Sequence, residues 1–217
     1  MRWGIPVAPE HSHLTLPSLR NGPLPLPPEG RRGVANAPAM LRLFVGIEFP
    51  PELKLRLSLL QSGIAGARWI DPGNFHLTLR FIGEIDEGTA ADVDEALLRL
   101  KARPFSVQLA GVGVFGGEKL RQLWVGVERE PALFTLQGKI ELALMRAGLP
   151  PEPRKYVPHV TLARLRDPRR QDLQFFLGAH AQFRTEPLRV DHFSLIASYP
   201  TKAGSVYEDQ ADYELQG

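Results

Sequence analysis

The stretch Asn74-Phe75-His76-Leu77-Thr78-Leu79-Arg80-Phe81 recurs downstream as Val157-Pro158-His159-Val160-Thr161-Leu162-Ala163-Arg164, and this repeat decides how the chain is read. Both copies spell His-x-Thr-Leu inside a short apolar run. Alternation of that kind marks a β-strand, in which residues i and i+2 share a face. His76 and Thr78 then point one way while Leu77 and Leu79 point into a core, and His159 and Thr161 repeat the arrangement. The same alternation sets Arg80 on the polar face beside Thr78. It turns Arg164 away from that face unless a bulge or the strand's end redirects it. Two such strands, 83 residues apart, can bring two imidazoles to one phosphate.

Working outward, Leu41 to Phe49 form an apolar strand run closed by Pro50-Pro51, where a first helical turn with Leu53, Leu55, Leu57, Leu59 and Leu60 begins. Arg68-Trp69-Ile70 and Asp71-Pro72-Gly73 read as a short strand and a turn leading into the first motif. Residues 87 to 102 carry Ala91, Val93, Ala96, Leu97 and Leu100 at helical spacing, with acids early and Arg99 and Lys101 late, as the helix dipole prefers. Pro104 to Val114 and Leu120 to Val127 read as two strands joined by Gly116-Gly117-Glu118-Lys119, followed by a helix over 131 to 147. After the second motif come a short helix over 171 to 178, a long strand from Phe183 to Ala197 broken near Pro187, and a terminal strand from Ser205 to Leu215. Each motif strand has helices and strands of its own nearby. The order predicts an α+β fold in two similar lobes rather than two separate domains.

Composition narrows the chemistry. A chain of 217 residues, 43% hydrophobic and 23% charged, can bury a sizeable core. With no cysteine, disulfides, thiolate metal sites and thiol nucleophiles are excluded together, which fits a reducing cytoplasm. No apolar run approaches the roughly 18 residues of a membrane span. A net charge of +2 points to local rather than long-range capture of an anion. Residues 1–39 are rich in proline and glycine and are expected to be a disordered extension of a single bilobal domain over 40–217. That extension holds a third match, His13-Leu14-Thr15-Leu16, but Pro17 follows at once and no apolar strand flanks it. His180 and His192 lack the motif and read as structural or surface groups.

Two histidines without a thiolate, a carboxylate cluster or a serine elbow favour acid–base catalysis. An imidazole with a pKa near 6.5 can act as a base while its twin, held protonated by an anion, acts as an acid. In such a site each threonine hydroxyl donates to a nonbridging phosphoryl oxygen, and Arg164 or Arg80 adds charge-assisted bonds.

The flanks carry a resemblance. Arg42-Leu43-Phe44-Val45-Gly46-Ile47, the first motif with Phe81-Ile82-Gly83-Glu84 after it, and Pro158-His159-Val160-Thr161-Leu162-Ala163-Arg164 resemble the 2H phosphoesterase superfamily. Within it they most resemble the RNA 2′,3′-cyclic phosphodiesterases once called 2′-5′ RNA ligases. The resemblance implies a pseudo-symmetric bilobal α+β fold, each lobe an antiparallel-rich sheet with helices on the outside and both motif strands facing a central cleft, and hydrolysis of RNA 2′,3′-cyclic phosphate ends, or of small cyclic-phosphate nucleotides, to 2′-phosphates without a metal or other cofactor. By position it implies that His76 is the proton donor to the departing O3′ and His159 the proton acceptor that activates water. Thr78 and Thr161 become phosphate clamps, Arg164 a phosphate-binding arginine, and Phe44 a place where a base could stack. A cytoplasmic monomer with no membrane association is expected. Reversible 2′-5′ RNA ligation and a noncatalytic RNA- or nucleotide-binding module are the rival readings.

Overall fold

The computed structural model describes residues 40–217 apart from 118, 203 and 217. The proline-rich extension and its His13-Leu14-Thr15-Leu16 match lie outside the described residues. In chain order the elements are β1 (Met40–Glu48), α1 (Pro51–Ser58), β2 (Ala67–Trp69), a 3-10 turn (Pro72–Asn74), β3 (His76–Asp86), α2 (Glu87–Leu98), β4 (Phe105–Val107), β5 (Leu109–Phe115), β6 (Gln122–Val127), α3 (Pro131–Arg146), β7 (His159–Leu165), α4 (Arg170–Ala179), β8 (Leu188–Val190), β9 (His192–Pro200) and β10 (Ser205–Glu214).

Local chemistry sets the boundaries. Asp86 caps α2 by accepting the Thr89 amide at 3.0 Å. Pro51 and Pro131 occupy first turns, where a missing N–H costs nothing. The run expected as one strand over 104–114 divides at Gln108 into β4 and β5, which join different sheets. The run expected from Phe183 to Ala197 keeps strand geometry only in β8 and β9, its first part making a single bridge between Arg184 and Ala110.

Two four-stranded antiparallel sheets, ordered β10-β9-β1-β3 and β2-β7-β6-β5, carry one motif strand each, and β4 pairs with β8 in a third, two-stranded sheet. The lobes interleave in sequence. β2, which precedes the first motif, pairs with β7 of the second, while the C-terminal β9 and β10 return to the first sheet. One continuous core runs between them, including Leu77, Leu79, Val160, Leu162, Leu133 and Ile140, all at most 2% exposed. Burying such side chains contributes about 1.5–3 kcal/mol each, so the apolar half of each motif anchors its strand.

Candidate active site

The two motif strands carry the same irregularity. On β3 the register passes from Arg80 opposite Val45 to Thr78 opposite Gly46, leaving Leu79 as an extra residue. On β7 it passes from Ala163 opposite Leu123 to Thr161 opposite Trp124, leaving Leu162 as the extra residue. Each motif leucine is thus a β-bulge, which shifts the alternation by one place. Downstream of it, Arg80 and Ala163 are buried, whereas Phe81 and Arg164 are exposed.

This corrects the expected place of Arg80. Its side chain is 7% exposed, its Nε donates to Glu141 at 2.5 Å, its Nη2 donates to the Pro150 carbonyl at 2.6 Å, and its Nη1 donates to the Phe81 carbonyl. Glu152 lies 3.7 Å from the same guanidinium. Arg80 therefore ties β3 to α3 and the loop after it, on the side away from His76 and Thr78. Arg164 moves the other way. It stands opposite Gln122, whose amide reaches His159 and Thr161, and cross-strand partners share a face. The bulge brings Arg164 to the histidine side.

Each imidazole is held in one orientation. His76 Nδ1 lies 2.8 Å from the Asn74 carbonyl and His159 Nδ1 lies 2.7 Å from the Val157 carbonyl. A carbonyl only accepts, so both rings carry the proton on Nδ1 and present Nε2 as the working atom. Beyond Nε2 the halves differ. The Thr78 hydroxyl is 3.0 Å from His76 Nε2. In the second half the Gln122 amide nitrogen stands 3.0 Å from His159 Nε2 and donates to Thr161 Oγ1 at 2.6 Å. That second bond engages a lone pair of the Thr161 oxygen and leaves its hydrogen for a ligand.

Aromatic rings wall both histidines. Phe44 and Tyr207 flank His76 with ring centroids at 4.6 and 5.1 Å. Phe44 is only 2% exposed, covered by His76 and Tyr207, so it supports the imidazole rather than offering a face for a base. Phe115 meets His159 edge-on at 4.8 Å and leans on Trp124 with the two rings tilted by 36° and their centroids 5.0 Å apart. Gly113 makes room, because a Cβ there would lie 2.3 Å from Trp124 Cζ2.

Burial lowers the His76 pKa to about 4, helped by the charges of Lys54 and His159 and opposed by the Asn74 carbonyl. The His159 contribution marks the second imidazole as an electrostatic neighbour of the first. Burial also lowers the His159 pKa, against the Val157 carbonyl. The strands that bear them are linked by Tyr156, whose hydroxyl donates to the Thr78 carbonyl at 3.2 Å. On β10, Asp209 is pushed up to about 6, first by burial and then by the Glu48 charge and hydrogen bond. His180 packs on Phe176, and His192 pairs with Asp191 at 2.6 Å. Among the described residues no group of three or more His, Cys, Asp or Glu side chains is placed to hold a metal ion. No described helix is long and apolar enough to cross a membrane.

Gln122 and Trp124 were not singled out by sequence reasoning. The signal lay in the register of β6 against β7, which no motif announces.

Known proteins resemble this chain in sequence and share its two-lobed fold. The family model "LigT like Phosphoesterase" matches twice, over residues 47–124 and 125–207, so each match contains one His-x-Thr strand. The RNA 2′,3′-cyclic phosphodiesterase of Methanothermobacter thermautotrophicus is 31% identical over 184 residues, spanning 81% of this chain and 99% of that one. A protein of the same name from Aquifex aeolicus is 30% identical over 191 residues, spanning 82% and 99%. Among solved structures, E. coli LigT complexed with 3′-AMP superposes with a TM-score of 0.68 at 23% identity, covering 82% of this chain and 100% of that one. The TT0787 protein of Thermus thermophilus does so with a TM-score of 0.68 at 24% identity, covering 82% and 99%. The two matches to the family model, which together span more than half of the chain, and the relatives of 30% identity or more therefore identify the chain as a member of the LigT-like phosphoesterase family, a family of enzymes.

Proposed function

We propose that this chain hydrolyses RNA 2′,3′-cyclic phosphate ends to 2′-phosphates by metal-independent catalysis with two histidines. His159 Nε2 removes a proton from water, the water oxygen attacks phosphorus, the P–O3′ bond breaks, and His76 Nε2 gives its proton to O3′. Thr78 and Thr161 donate to nonbridging oxygens, and Arg164 meets the charge that builds up in the pentacoordinate state. The names of the relatives supply the substrate class.

The observation that carries the reading is the pair of Nδ1–carbonyl bonds, which aim both Nε2 atoms outward in the same tautomer. The partners at Nε2 then divide the roles. An amide N–H can only donate, so Gln122 favours a lone pair on His159 Nε2 and with it the base form. The Thr78 hydroxyl can turn from donating to accepting, so it tolerates a proton on His76. Burial alone ranks the rings oppositely, making His76 the harder to protonate. An anionic phosphate within about 4–6 Å raises a neighbouring pKa by roughly 1–3 units and restores the acid. In this reading the enzyme works as a cytoplasmic monomer.

The test is turnover of an oligonucleotide ending in a 2′,3′-cyclic phosphate, with and without chelator, by wild type, His76→Ala and His159→Ala. Unchanged rates with chelator and losses of about 10²–10⁴-fold in each variant are expected. Chelator-sensitive turnover, or a fully active single variant, contradicts the proposal.

A further inference from the structure

One rung beyond Thr161 a row of side chains crosses the whole second sheet. Phe115 stands opposite Gln122, Gln122 opposite Arg164, and Arg164 opposite Arg68. These four positions belong to four adjacent strands and face the same way. The Gln122 amide and the Phe115 ring both reach His159, which fixes the face. On β2 the neighbouring Trp69 packs on Phe176 of α4, opposite the buried Ala163, so Arg68 is turned toward the histidines. Arg68 Nη2 lies 3.9 Å from where a side chain on Gly204 would be, reaching the turn between β9 and β10 in the other lobe. Strands sit about 4.8 Å apart, so the row spans about 14 Å. A single phosphate needs far less.

We infer that this row is a track for the RNA strand 5′ of the cyclic phosphate, with Arg68 holding a backbone phosphate and Phe115 stacking a base. The inference deepens the proposed function and rests on it, since it adds two residues that hold the RNA strand upstream of the reacting end. The chemistry is that of sequence-tolerant single-strand binding, in which basic side chains follow the backbone and aromatic rings stack on bases. Arginine suits the phosphate because its planar fork matches two phosphoryl oxygens. Gln122 adds no charge and keeps its place against His159.

The test compares kcat/KM for a cyclic-phosphate-ended tetranucleotide with that for a 2′,3′-cyclic mononucleotide, in wild type, Arg68→Gln and Phe115→Leu. Leucine preserves a wall beside His159 while removing the stacking face. The track predicts that the tetranucleotide-to-mononucleotide ratio falls about fivefold to a hundredfold in Phe115→Leu. In Arg68→Gln the ratio also falls, and the slope of log kcat/KM against log salt for the tetranucleotide shrinks by about 0.7. Ratios unchanged in both variants, with the salt slope intact, overturn it. Wild-type turnover of the mononucleotide tests the underlying reading on its own. Fluorescence anisotropy of a labelled 2′-phosphate-ended tetranucleotide tests the track even where turnover fails: weaker binding by both variants supports it, and wild-type affinity in both refutes it.

Discussion

Gln122→Leu is the substitution that most sharply examines how the second half-site works. Leucine keeps the volume but removes the donor that contacts His159 Nε2 at 3.0 Å and Thr161 Oγ1 at 2.6 Å. The nearest hydroxyl able to replace it is that of Thr161, two residues along the same strand face. The second half then adopts the pattern of the first, where the Thr78 hydroxyl stands 3.0 Å from His76 Nε2. A Thr161 hydrogen drawn to the imidazole must be turned back to the phosphoryl oxygen during catalysis. Diverting one neutral hydrogen bond costs about 0.5–1.5 kcal/mol. At 1.4 kcal/mol per tenfold, kcat/KM falls about 2- to 12-fold. The assay is a double-mutant cycle with Thr161→Val, because the loss is predicted to pass through that hydroxyl. In the Thr161→Val background, Gln122→Leu costs less than about twofold in kcat/KM at its pH optimum. The double variant leaves His159 Nε2 without a donor to its lone pair, so its pKa and the acid limb of the profile move up. Equal costs in both backgrounds refute the reasoning, since Gln122 then acts by some route other than Thr161.

Two further outcomes follow from the geometry. Arg80→Met strands a mostly buried Glu141 carboxylate, and denaturant unfolding is expected to register a loss of about 3 kcal/mol, most of it recovered in the Arg80→Met/Glu141→Leu pair; a loss below about 0.5 kcal/mol contradicts the structural role. For His76, a folded pKa of about 4 against about 6.5 unfolded means that the unfolded chain takes up the proton first on acidification, so the stability present above pH 6.5 is lost as pH falls toward 4. The 2.5-unit gap corresponds to about 3 kcal/mol, and His76→Gln should flatten the decline in stability between pH 6.5 and 4; an unchanged decline in that variant refutes the assignment.

The motif strands, the two histidines and threonines, and most helices were legible in the sequence because alternation, caps and helical spacing are local signals. What was not legible depends on pairing. Arg80 and Arg164 exchanged their expected orientations because Leu79 and Leu162 are bulges, and a bulge is decided by the register of β3 on β1 and of β7 on β6. The allocation of β2 to the second lobe is a long-range choice of partner that the spacing of Arg68-Trp69-Ile70 does not encode. Phe44 shared the apolar pattern of its whole strand, so nothing local separated a buried support of His76 from an open stacking face. Gln122 is an ordinary polar residue at a strand's start, and only the cross-strand hydrogen bonds mark it.

The division of labour between the histidines is the claim on which the account depends, and a sulfur-for-oxygen substrate addresses it directly. When the 3′ bridging oxygen of the cyclic phosphate is replaced by sulfur, the departing thiolate is a far weaker base than an alkoxide and needs no proton. His76→Ala should then recover most of its lost rate on this substrate while His159→Ala stays impaired. Equal impairment of both variants, or recovery of His159→Ala in place of His76→Ala, would contradict the account.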